Sequence, residues 1–90
     1  MKKRIHVLYS GRVQGVGFRF TAIEVARRAD VSGWVKNLDD GRVEVIAEAD
    51  EKSLNDFLDG VKVNFSRYIR QAQVEWSDAS GEFKDFRVNF

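Results

Sequence analysis

The apolar residues switch from a period of two to a period of 3.6 and back, twice, within 90 residues. Residues 3–10 alternate, with Ile5, Val7 and Tyr9 on one side and Arg4, His6 and Leu8 on the other, the pattern of a half-buried strand. Gly11, Gly15 and Gly17 then interrupt regular structure. From Phe18 the spacing is helical, with Phe18, Ala22, Val25, Ala26 and Ala29 on one stripe. Ser32-Gly33 closes that helix and Trp34 to Leu38 predicts a second strand. Asp39-Asp40-Gly41 predicts a hairpin turn, because Asp-Gly tolerates positive φ angles. On the return arm Val43, Val45, Ala47 and Ala49 alternate with Arg42, Glu44, Ile46 and Glu48. Asp50 is the expected N-cap of a second helix with Leu54, Phe57, Leu58 and Val61 on its stripe. Gly60 costs that helix about 1 kcal/mol against alanine and is expected to loosen its last turn. Ala72, Val74 and Trp76 predict a fourth strand, and Phe86, Val88 and Phe90 a short fifth.

One apolar stripe per helix and one apolar face per strand are most simply buried in two layers. The fold class is therefore α+β: a ferredoxin-like two-layer sandwich, an antiparallel sheet with both helices on one face, ordered βαββαβ plus a short C-terminal strand. Trp34 is read as core packing, and residues 1–90 as one domain, since the chain is too short for two cores. With no cysteine, disulfides and thiolate metal sites are excluded. Lys plus Arg total 15 against 14 for Asp plus Glu, and a net charge of +1 argues against non-specific nucleic-acid binding, a local patch aside. No stretch nears the roughly 20 apolar residues of a membrane span. The basic start, Met1 to Arg4, runs into an alternating strand instead of the apolar core of a signal peptide. A cytoplasmic monomer is the expectation.

Few residues can carry chemistry. The lone histidine, His6, lies inside the first strand, and no serine sits in a nucleophile elbow, so a catalytic triad finds no support. Asp39-Asp40 is explained by the turn, and the acids Glu48, Asp50 and Glu51 by the start of a helix. The segment Gly11-Arg-Val-Gln-Gly-Val-Gly-Phe-Arg19 differs, because it joins a strand directly to a helix. Its glycines allow backbone N–H groups to face inward as a nest for an anion. The next helix adds free amides and a positive dipole end, and Arg19 a forked guanidinium within reach. A tight crossover that needs glycine for steric reasons is the other reading, and the residues alone leave both open. No Gly-Lys-Ser/Thr follows, which argues against a nucleotide held with magnesium. Asn37 offers a donor and an acceptor near the end of the second strand, suited either to holding a water or to turn chemistry.

Gly11-Arg-Val-Gln-Gly-Val-Gly-Phe-Arg19, Gly33-Trp-Val-Lys-Asn37 and Asp40-Gly-Arg-Val-Glu44, in this order, resemble the acylphosphatases. The resemblance spans nearly the whole chain. It implies hydrolysis of the carboxyl-phosphate bond of small acyl phosphates to a carboxylate and inorganic phosphate, with no metal or organic cofactor. Carried over by position, Arg19 would bind phosphate and Asn37 orient the attacking water. The backbone amides of Gln14, Gly15, Val16, Gly17, Phe18 and Arg19 would form the cradle. In some relatives the terminal carboxylate pairs with this arginine. Ala29-Asp30-Val31 stands where relatives often have Leu-Gly-Leu, and Phe65-Ser66-Arg67-Tyr68 where a Gly-Pro pair is common. Two rival readings remain. Gly17-Phe-Arg-Phe20 faintly echoes the aromatic motif of RNA-recognition domains, but those aromatics belong on a central strand and these open a helix. A non-catalytic anion-binding or regulatory domain of the same fold is the alternative; the chain's length leaves no extension for partner domains, and Arg19 and Asn37 are both present.

Overall fold

The computed structural model describes residues 1–90. In chain order it contains β1 (Lys2–Gly11), α1 (Phe18–Ala29), β2 (Ser32–Asn37), β3 (Val43–Asp50), α2 (Glu51–Phe65), β4 (Ile69–Asp78) and β5 (Phe86–Asn89). The strands form one sheet in the order β4-β1-β3-β2-β5. Alternation along β1 and β3 sends Ile5, Val7, Tyr9, Val43, Val45 and Ala47 to one face, all buried. Val7, Val45 and Val35 stand opposite one another across β1, β3 and β2. Phe18, Ala22 and Ala26 of α1 and Leu54, Phe57, Val61 and Phe65 of α2 close over this face in a single core. Burying each of the larger side chains is worth roughly 1.5–3 kcal/mol, more than a surface ion pair, so this face sets the register.

The sandwich expected from periodicity is present, with one difference: the sheet is mixed. β5 pairs with β2 in parallel, while every other pairing is antiparallel. The reason is connectivity. β4 lies on the far edge and runs opposite to β1, so the chain leaves it at the end of the sheet where β2 begins. A strand laid beside β2 from that end must follow its direction.

One local expectation is corrected, and three local details are added. Trp34 pairs with Ile46 on the face away from the helices and is only half-buried, so it is not core. Ala72 and Trp76 share the helix face of β4 but stay exposed, because α2 packs over β1 and β3 and leaves that edge uncovered. Asp50 occupies the N-cap position of α2 without a side-chain capping bond. Gly60 lies inside α2 as expected, and a Cβ there would lie 2.6 Å from Val25 Cγ1 of α1. Its role is close approach of the two helices.

Asp30 caps α1 in the left-handed conformation, with φ 59° and ψ 50°, and its N–H donates to the carbonyls of Ala26 and Arg27. Most residues avoid this region because Cβ meets the adjacent carbonyl. Asp30→Gly is therefore expected to stabilise the chain by about 1 kcal/mol and to raise Tm by roughly 4–8 °C in thermal unfolding.

On the face without helices, a buried carboxylate ties down the connection from β4 to β5. Glu48 accepts hydrogen bonds from the Ser80 N–H and Oγ at 2.8 and 2.9 Å, the Gly81 N–H at 3.0 Å and Arg4 Nε at 2.7 Å. Burial by itself pushes this carboxyl up, but the donors together outweigh it and hold it at about 2 against an ordinary 4.5. A depressed carboxyl stabilises the fold above its unfolded value, and that contribution is lost as pH falls from 4.5 through 2. Urea unfolding should show a loss of about 2–3 kcal/mol over that window. Glu48→Gln should flatten the dependence.

Candidate active site

β1 and β2 both run antiparallel to β3, so they run parallel to each other, and β5 runs with β2. Their C-terminal ends therefore meet at one edge of the sheet, beside the N-terminus of α1. The chain crosses from β1 to α1 through residues 12–17, anchored by Val13, which is fully buried. Gly15 and Gly17 adopt φ values of 77° and 79°. A Cβ at either would meet nothing within 4 Å. Crowding is thus not what requires glycine here; the left-handed backbone is. Gly11, at the head of the same motif, is different, since a Cβ there would run into the Tyr68 carbonyl oxygen; steric need accounts for the first glycine and backbone conformation for the other two.

Residues 14–19 donate none of the backbone hydrogen bonds formed outside helices and strands. Phe18 and Arg19 open α1, so their amides have no acceptor within the helix either. The first turn of α1 carries no acidic side chain, and its N-cap, Gly17, offers none. The positive end of the helix is left without an internal anion.

Gly15, Gly17, Phe18, Arg19 and Asn37 line one cavity of about 540 Å³. The side-chain Oδ1 of Asn37 is buried and accepts no hydrogen bond. Of the six cradle positions, Gln14 and Val16 do not line the cavity: Val16 packs against the core, and Gln14 turns to the β2–β3 hairpin. Gln14 Nε2 donates to the carbonyls of Leu38 and Arg42 at 2.8 and 3.0 Å. Its side chain thus pins the loop beside Asn37, a role no spacing in the sequence reveals, because the partner carbonyls lie 24 and 28 residues away.

Sequence reasoning also missed the cavity's second wall, made by Phe20, Ile23, Val88 and Phe90. The available signal was that Phe20 and Ile23 fall off the buried stripe of α1. Residue 90 meets Arg19 through its ring, whose centroid lies 5.7 Å from the guanidinium carbon. Glu24 and Arg27 complete the rim and face each other at 3.6 Å.

The remaining polar candidates lie elsewhere. His6 Nε2 bonds Glu44 Oε2 at 2.7 Å across β1 and β3 on the helix-free face. In the turn, the backbone N–H of Arg42, assisted by its side chain, holds the Asp40 carboxyl below its ordinary value. No group of three or more His, Cys, Asp or Glu side chains is arranged to hold a metal ion. No helix is long and apolar enough to cross a membrane.

Fold and site together define a small ferredoxin-like α+β protein with a glycine nest, an arginine and an unpaired carboxamide around one cavity. The acylphosphatase family model matches residues 5–88. An acylphosphatase of Bacillus velezensis is 54% identical over 87 residues, covering 94% of this chain and 96% of its own. One from Caldanaerobacter subterraneus subsp. tengcongensis is 40% identical over 90 residues, covering 98% and 99%. The crystal structure of acylphosphatase from Bacillus subtilis has a TM-score of 0.89 at 33% identity, covering 98% and 99%. The chain belongs to the acylphosphatase family and is an enzyme of that kind, a hydrolase of acyl phosphates.

Gln14→Met keeps the bulk and removes both donors, each worth roughly 1 kcal/mol net. It is expected to lower stability by about 1–2 kcal/mol in urea unfolding. Hydrogen exchange at the Leu38 amide, which bonds the Arg42 carbonyl, should quicken.

Proposed function

We propose that this chain cleaves the carboxyl-phosphate bond without a metal, with Arg19 and the amides of Gln14 to Arg19 holding the phosphoryl group and Asn37 orienting the water. The observation that carries the reading is that Asn37, whose buried Oδ1 has no hydrogen-bond partner, lines the same cavity as Arg19 and the glycine nest. An acceptor without a donor suits a water that donates one proton to it and turns a lone pair toward phosphorus. Free amides, helix end and guanidinium are all positive or donating, so they complement an oxyanion whose charge spreads over three oxygens in flight. Most of the work is positioning and charge stabilisation.

The water oxygen bonds to phosphorus while the bond from phosphorus to the acyl oxygen breaks, its electron pair leaving with the carboxylate. Both water protons end on phosphoryl oxygens. A carboxylate is a weak base, with its acid near pKa ~4, and leaves without a general acid. This accounts for a site lacking histidine. The only acidic side chain on its rim is Glu24, which faces Arg27. Small acyl phosphates are the substrate and inorganic phosphate the product. A regulatory domain that binds an anion without turnover would have no use for a water-orienting carboxamide.

Hydrolysis of benzoyl phosphate should persist in excess chelator, and inorganic phosphate should inhibit it competitively. Arg19→Ala is expected to lower kcat/KM by about 10²–10³ and to weaken inhibition by phosphate. Asn37→Ala should lower kcat by a factor of about 10² while phosphate inhibition stays within about twofold. Full turnover in Asn37→Ala would remove the water-orienting role.

A further inference from the structure

The cavity is far roomier than a phosphoryl group, and its chemistry is divided. The nest, Arg19 and Asn37 form its polar lining, and Phe20, Ile23, Val88 and Phe90 form an apolar wall beside them, with Phe90 against Arg19. These four are not simply parts of the core. Phe20 is 61% exposed and Phe90 97%, and both belong to the small set of large apolar side chains left in solvent. Phe20 and Ile23, three residues apart, share a strip of α1 separate from its buried stripe of Phe18, Ala22 and Ala26. Along β5, Phe86 and Val88 point to one face, the first buried and the second half-buried, and Phe90, just past the strand's end, is exposed with its ring over Arg19. The apolar face of β5 thus runs out of the core and ends at the cavity. Because β5 is parallel to β2, with Lys36 opposite Asn89, it ends beside Asn37.

We propose that this apolar wall is the acyl subsite, selecting acyl phosphates whose acyl group is uncharged and apolar, an aryl group above a methyl. The inference rests on the hydrolytic reading given above. With phosphorus at the nest, the acyl group must project out of the cradle, and the wall is the surface flanking it. An aryl group can stack against Phe20 and Phe90, contacts worth more than area burial alone. An acyl group with its own carboxylate finds no spare cation: Arg19 serves the phosphoryl group and Arg27 faces Glu24 at 3.6 Å. The exposed aromatic rings cost the free protein little and gain water-free contact when substrate arrives.

The test has two arms. In the first, kcat/KM is measured for benzoyl, acetyl and succinyl phosphate with wild type, Phe20→Ser, Phe20→Leu and Val63→Ser. Val63 is an exposed residue of α2 away from the cavity and serves as the control. Phe20→Ser is expected to lower the benzoyl-to-acetyl ratio roughly 3- to 10-fold, mainly through KM for benzoyl phosphate, and Phe20→Leu to recover part of it. Val63→Ser should leave the ratio unchanged. In the second arm, binding of benzoylphosphonate and acetylphosphonate, which cannot be hydrolysed, is compared in the same proteins and should show the same loss of preference. A ratio unmoved by Phe20→Ser in both arms, or a preference for succinyl over benzoyl phosphate, overturns the subsite. Absent turnover with the binding preference intact overturns the hydrolytic reading and supports the subsite.

Discussion

Val7, Val45 and Val35 face one another across three strands without solvent exposure, and the other elements take their places from that row. It fixes β3 between β1 and β2, and so makes β1 and β2 parallel. Two parallel strands must deliver their C-terminal ends to the same edge. One of those ends leads into the glycine loop and the other is Asn37. The site is a consequence of the core's register: a slip of one residue would send Val35, and Asn37 two residues on, to the opposite face.

Burial of that face leaves the chain free to keep backbone groups unpaired where they are useful. The amides at 14–19 donate to no carbonyl, and the positive φ of Gly15 and Gly17 holds them out of reach of one. Such a loop would be free to collapse onto itself if it were not held from outside. Val13 in the core anchors one end, and Gln14 binds the carbonyls of the neighbouring hairpin. On the other face of the sheet, Glu48 does the same for the connection to β5 by accepting from two amides. In both places a side chain binds main-chain groups distant in sequence, which fixes a loop without further secondary structure.

A cavity built in this way needs few titrating groups. In the proposed reaction the amides and the carboxamide have no charge to lose, and the leaving carboxylate needs no proton. Glycine, arginine and asparagine line the cavity, at the positive end of α1.

The sequence by itself determined the elements, their order and the glycine-rich segment between β1 and α1, because these depend on neighbours. Alternation in β1 and β3, the helical stripe from Phe18 and the glycines before it are local facts, and they also carried the family resemblance. Asn37 was legible only as part of a motif, since nothing local separates it from an ordinary turn residue. Trp34 was misread as core because a strand's apolar residue says nothing of which face is covered, and only the position of the helices decides that. The tertiary structure alone decided that β5 runs parallel to β2, that Gly60 lets α1 and α2 touch, that Gln14 reaches the hairpin, and that Val88 and Phe90 end beside Arg19. The physical reason is common to all four. Each joins groups separated along the chain by more residues than any period or turn signal spans, and such pairings are fixed by packing.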